Sequence, residues 1–244
     1  MHHLDDNQRD DGTLRWGGLA GMTGSLLLIL VFGIVAAFVG MEDVGPEASV
    51  MRFPEIRAAR TVENSLYLVV VVLWVMHFLA LHAALRTTSP APARFGSVLS
   101  ILGLVVLAAG ALPHVATAPI SDLYHAPGAT PPEKATLVLI WQATQGIFDA
   151  LLVTGLVIVP MGLILLGVAM LGAPAFGRRM GGTTVALGAV GLAAAAALLV
   201  DVSPLGVLGM VALIVFHLVL GWRVHELSRA PGSTTTTARP SSGS

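Results

Sequence analysis

A carboxylate, amide or imidazole set inside a long apolar run is costly to place, so such residues are the first candidates for chemistry in this chain. Asp149 is the only acid well inside a hydrophobic run, in the stretch from Thr130 to Gly172. Gln142, Gln145 and Asp149 follow i, i+3, i+7 spacing, which stacks them on one helical face, and Pro160 falls on that face three turns further in. A polar stripe of this kind enters a membrane from one side and ends near a kink. A carboxylate near the bilayer centre costs roughly 2.5 to 3.5 kcal/mol, so Asp149 is expected to face protein or water. With Glu63, His114 and Asp201 expected at the same leaflet, Asp149 and the two glutamines would line an outward-facing vestibule. Its occupant would be a cation, a proton or a small polar solute. Acid and imidazole donors together suit a hard or borderline metal ion.

A second constellation is His77 with His217. They are expected on antiparallel helices, each about twelve residues in from the outer end, and facing histidines at one level can ligate a b-type haem. Two interhelical hydrogen-bonding groups are the plainer reading of that pair. On the second helix Glu63, Tyr67, Trp74 and His77 share a face. Ser100, Gly103, Gly110 and His114 form a stripe on the third, and Ser203, Gly206, Met210 and His217 one on the sixth. The alternative to a functional site is that these seams are close-packed helix interfaces in a purely structural or interaction protein.

Other chemistries are excluded or unsupported by what the chain contains. It has no cysteine, hence no disulfide, thiolate metal site, iron–sulfur cluster or thiol nucleophile. There is no HExxH, and His77 and His82 at i, i+5 are split across a helix. No Ser-His-Asp set or phosphate-binding glycine loop occurs, and Lys134, the only lysine, is poorly placed for a Schiff base. No cofactor and no enzymatic activity are expected. A net charge of −1 gives no basic surface for nucleic acid.

These candidates must be positioned by membrane helices, because hydrophobic residues make up 55% of the chain, charged ones 11%, and the apolar residues come in blocks. The expected architecture is all-α, a polytopic six-helix transmembrane bundle over 14–229, with disordered cytoplasmic tails at 1–13 and 230–244. The first helix runs from Trp16 to Met41, where Gly17, Gly21 and Ser25 recur every four residues, and Gly33 with Ala37 repeat the device; small residues at that spacing admit a neighbouring helix. Glu42 to Glu63 is expected as a loop with a short amphipathic segment. The second helix is Asn64 to Leu85 and the third Phe95 to Leu112, terminated by Pro113 and His114, with Val115 to Ala129 a loop. Thr130, Pro131, Pro132 and Glu133 make a helix start with a hydroxyl cap, prolines where no N–H is needed and an acid at the positive end of the dipole. As one helix the run to Leu171 would span about 60 Å, twice the hydrocarbon core, so part of it must leave the bilayer. Gly181 to Val200 and Leu205 to Trp222 complete the six.

Six spans put both ends on one side. Nine arginines (Arg9, Arg15, Arg86, Arg94, Arg178, Arg179, Arg223, Arg229 and Arg239) then lie on the side of the termini, against Arg52, Arg57, Arg60 and Lys134 opposite, so the termini are expected to be cytoplasmic. The C-terminal part reads LLGVAMLGAPAFGRRMGG, then an Ala/Gly-rich helix, a proline-containing turn and a last helix ending GWRVHEL. In this layout the chain resembles the uncharacterised bacterial six-helix membrane proteins of domain-of-unknown-function family four-three-eight-six. The resemblance covers most of the chain between the tails. It implies a six-helix fold in the bacterial cytoplasmic membrane and brings no activity or catalytic residue. Transport or sensing of a small solute, ion or proton is the expected role, with the lipid bilayer as partner.

Overall fold

A computed structural model describes the backbone of residues 2–40, 44–200 and 203–229, and the side chains of 11–40, 44–200 and 207–229. Among these residues there are seven α-helices and no strand: α1 (His2–Ile34, closed by a π-helical turn at Val35–Val39), α2 (Pro46–Leu85), α3 (Pro90–Ala109), α4 (Ala111–Tyr124), α5 (Pro131–Leu171), α6 (Gly177–Leu199) and α7 (Ser203–Leu227). Six segments are long and apolar enough to cross a membrane, with α3 and α4 counting as one. Large apolar side chains such as Ile29, Leu79, Leu102, Val168 and Val211 stay exposed around the bundle, as a lipid-facing surface requires. The chain is a multi-pass integral membrane protein with an all-α six-helix bundle.

Three expected boundaries change. α1 starts at His2, so the stretch expected as a disordered tail continues the first membrane helix; residues 230–244 lie outside those described. The expected loop from Glu42 to Glu63 is mostly helix, because α2 starts at Pro46 with Glu47 in its first turn. Pro54, which argues for a loop, sits inside that helix and leaves the Val50 carbonyl without its intrahelical donor. The Ser121 hydroxyl donates to that carbonyl at 3.5 Å. Pro113 breaks the third segment but does not end it. Lacking an N–H for the Ala109 carbonyl, it stops α3 there, and the chain resumes as α4, where Pro113 falls in the tolerant first turn.

The helices form a closed ring in which α1 packs on α2 and α7, α2 on α3, α3 on α5, α5 on α6 and α6 on α7. Glycines set how close neighbours come. A Cβ on Gly21 would stand 2.6 Å from the His77 ring, and one on Gly18 would stand 2.7 Å from the Gly221 carbonyl. Ser25 Oγ lies 3.1 Å from Gly21 O and 3.3 Å from Ile214 O, sharing its proton between its own helix and α7. The expected seam of Gly17, Gly21 and Ser25 is therefore an interface inside the monomer. Gly33 and Ala37 are exposed and join no seam. On α5, Gly162 meets Gly96 and Ser100 of α3, and Gly167 meets Gly181 and Val185 of α6, each at backbone contact.

At one end of the ring α2 and α5 run on well past the bundle and hold α4 between them. Val50, Phe53, Ile120, Tyr124 and Trp141 form a second, separate core there. Arg57 pairs with Asp122, and Lys134 Nζ lies 5.2 Å from the Tyr124 ring centroid. We call this the cap. At the opposite end the α5–α6 turn is tied to α7 by Arg223 Nε, which donates to the Ala175 carbonyl at 3.0 Å.

Candidate vestibule at the base of the cap

α5 is a single helix, so depth can be counted along it. At 1.5 Å per residue from Leu171, Asp149 stands about 33 Å away, and Glu63 is equally far from Leu85 along α2. The hydrocarbon core is about 30 Å thick, so both carboxylates sit at its edge and not near its centre. Asp149 is exposed, on the outside of α5. Expected to face protein or water in a vestibule, it does not line the neighbouring cavity.

Just above that level lies a cavity of about 340 Å³. Its walls come from the end of α1 and the turn after it (Val39, Gly40, Val44), the projecting part of α2 (Ser49, Arg52, Phe53, Ile56, Arg60), α4 (His114, Thr117) and α5 (Trp141, Gln142, Gln145). Three expected vestibule residues are therefore brought together: Gln142, Gln145 and His114. Asp149 shares their helix face but does not line the cavity; next to it Phe148 stacks on His114 with centroids 4.1 Å apart. His114 Nδ1 lies 3.3 Å from Asn64 Oδ1, which makes Asn64 the hydrogen-bond partner of His114. Glu63 accepts a 2.9 Å hydrogen bond from Arg60 Nη1 and does not line the cavity. Asp201 lies outside the described residues.

The electrostatics differ from those expected. Of the charged side chains lining the cavity both are arginines, and no carboxylate among the described residues lines it. Arg60 is paired with Glu63, whereas Arg52 has no ion-pair partner among the described residues. Its guanidinium lies over the turn at Gly40, where a Cβ would stand 3.3 Å from Nη1 and where the backbone takes φ 85°. Among the described residues no group of three or more His, Cys, Asp or Glu is arranged to hold a metal ion.

Sequence reasoning missed Ser49, Arg52, Phe53, Ile56 and Arg60, although they carry a signal. They follow i, i+3, i+4, i+7, i+11, the stripe of one helix face, which becomes visible once the segment is taken as helical.

His77 and His217 do meet, fully buried, but in direct contact. Their rings are edge to face with centroids 5.1 Å apart, Trp74 stacks on His217 at 4.1 Å, and Phe78 and Phe216 pack against the pair. His77 Nδ1 lies 3.0 Å from the Gly17 carbonyl, an interhelical contact that holds this ring nitrogen. A macrocycle between two axial imidazoles needs a slot separating them, and here the rings touch each other, so the pair does not fit haem.

No family model, no curated protein and no solved structure matches the chain.

Proposed function

We propose that the protein is a membrane-embedded receptor that binds a small solute in the vestibule between cap and bundle, and that it senses the solute and does not conduct it. The observation that carries this reading is the level of the cavity. Gln145 and Trp141 stand about 39 and 45 Å from Leu171 along α5, which puts the vestibule in the headgroup layer and the water above it, outside the hydrocarbon. Beneath it the ring is closed by glycine contacts at backbone distance, as at Gly96 with Gly162 and Gly167 with Gly181. A path for a polar solute would have to part these seams.

The vestibule also has the make-up of a small-molecule site. Apolar walls from Phe53, Ile56 and Trp141 surround a few polar groups, and its volume lies at the lower end of the range for ligand pockets. The arginine asymmetry supports a cap on the outer side of a bacterial cytoplasmic membrane, with both termini inside.

The chain has no cysteine, so single cysteines report accessibility directly. In lipid nanodiscs, Gln145→Cys is expected to react readily with a charged maleimide. Ser100→Cys, at a fully buried position on the α3–α5 seam, is expected to stay unreactive until the protein is unfolded. Comparable reactivity at both positions would mean a hydrated bundle and would restore the transport reading.

A further inference from the structure

The ligand class of the vestibule can be narrowed, on the premise that the vestibule is the binding site. We propose that it takes a phosphate-class anion carried by a molecule with an apolar part, with Arg52 as the residue that selects the charge. Donors dominate the polar lining. Arg52 offers a guanidinium fork, and Gln142 and Gln145 offer amide N–H groups from two successive turns of α5, whereas His114 spends its Nδ1–H on the Asn64 Oδ1 and adds no donor. Among the described lining residues a cation would meet two arginines and no carboxylate, so the charge of this lining favours an anion. Donors converging from α2 and α5 match an anion with oxygens pointing in several directions better than a planar carboxylate, and a guanidinium meets such an anion through paired N–H bonds.

The volume and level of the cavity supply the second half of the argument. A bare phosphate would leave most of about 340 Å³ unfilled, and the remaining wall is apolar, from Phe53, Ile56 and Trp141. The cavity begins near the level of the headgroups and rises to Arg52 in the water above them, so the same chemistry can arrive from two sources: a lipid headgroup entering from the rim or a water-soluble phosphate ester entering from above.

The test measures protection of Gln145→Cys from the charged maleimide. The background is the full chain, in phosphatidylcholine nanodiscs with added glycerol phosphate or inorganic phosphate, and in nanodiscs containing phosphatidylglycerol. Protection by the soluble esters assigns the site to a free phosphate compound; protection only in phosphatidylglycerol assigns it to the lipid headgroup. Either result supports the proposal, provided Arg52→Gln weakens protection roughly tenfold or more, as loss of charge-assisted hydrogen bonds predicts. Arg94→Gln at the far end should leave it unchanged. Arg52→Lys, which keeps the charge but not the fork, should fall between, and it stands in if the glutamine variant melts early. Ready labelling with no protection by any phosphate, or protection equally strong with choline and unaffected by Arg52→Gln, overturns the anion assignment while leaving the vestibule in place. Failure of Gln145→Cys to label at all overturns the vestibule itself.

Discussion

Asp149 illustrates how depth, and not residue type alone, decides what an acid in an apolar run costs. A carboxylate at the bilayer centre has to be compensated, whereas one at the hydrocarbon edge can stay hydrated among headgroups. About 33 Å from Leu171 and exposed, Asp149 has the second situation, and no hydrogen bond or ion pair ties it to another residue described. Asp149→Asn is therefore expected to leave insertion intact and to change stability by no more than about 0.5 kcal/mol, as for other surface substitutions. A melting temperature in detergent lowered by many degrees would show that Asp149 has a buried partner after all. The glutamines and His114 were legible in the sequence because periodicity assigns residues to a helix face. Asp149 shares their face and stays outside the cavity, a difference periodicity cannot show because it carries no depth. Depth followed only when α5 proved continuous and its lower end could be fixed beside Arg178 and Arg179.

At the scale of helices the seams matter most, and here too the sequence was informative in part. Gly17, Gly21 and Ser25 announced a close approach by their spacing, and the approach is made to α2 and α7. Gly33 has the same spacing and touches nothing, since a small residue permits contact without causing it. Which helix occupies a seam depends on the order around the ring, a non-local property that no single stretch encodes. The cap was illegible for a different reason: Pro54 and Pro113 argue locally for loops, and only Ser121 near the Val50 carbonyl and the first-turn position of Pro113 show how the helices tolerate them. Two glycines of α5 separate packing from propensity. In Gly162→Ala the new Cβ would stand 2.7 Å from backbone atoms of α3, which cannot rotate away, so α3 and α5 must separate at a cost of about 1 to 3 kcal/mol. Gly146→Ala meets nothing within 4 Å and should be neutral or stabilising by up to about 1 kcal/mol through helix propensity. Thermal melts of the two variants in one detergent check the pair, and equal melting temperatures would mean that the α3–α5 seam is not tight.

For the whole molecule, where the fold places the basic residues bears on which way the cap points. The six spans return the chain to its starting side, so sidedness is a single binary choice. On the side of the termini Arg86, Arg94, Arg178 and Arg179 lie within a few residues of membrane helix ends, where basic residues bear most strongly on orientation. The four opposing cations are placed differently. Lys134 and Arg52 stand about 55 and 50 Å from the far ends of their helices, beyond the 40 to 45 Å of a whole bilayer. Arg57 and Arg60 are engaged with Asp122 and Glu63 in the folded cap. Basic residues that hold an orientation by remaining in the cytoplasm are thus concentrated at the bundle end, and the cap should be exported. Reporter fusions after Arg229 and at Asp122 should give opposite results, with an exported-only enzyme active at Asp122 and inactive after Arg229. The same assignment predicts that Gln145→Cys on intact cells is labelled by a membrane-impermeant maleimide, whereas a cysteine at Arg94 is labelled only in inverted vesicles. The reverse pattern would put the vestibule in the cytoplasm and change its phosphate source to the inner leaflet or the cell interior, while equal signals at both ends would contradict the six-span bundle.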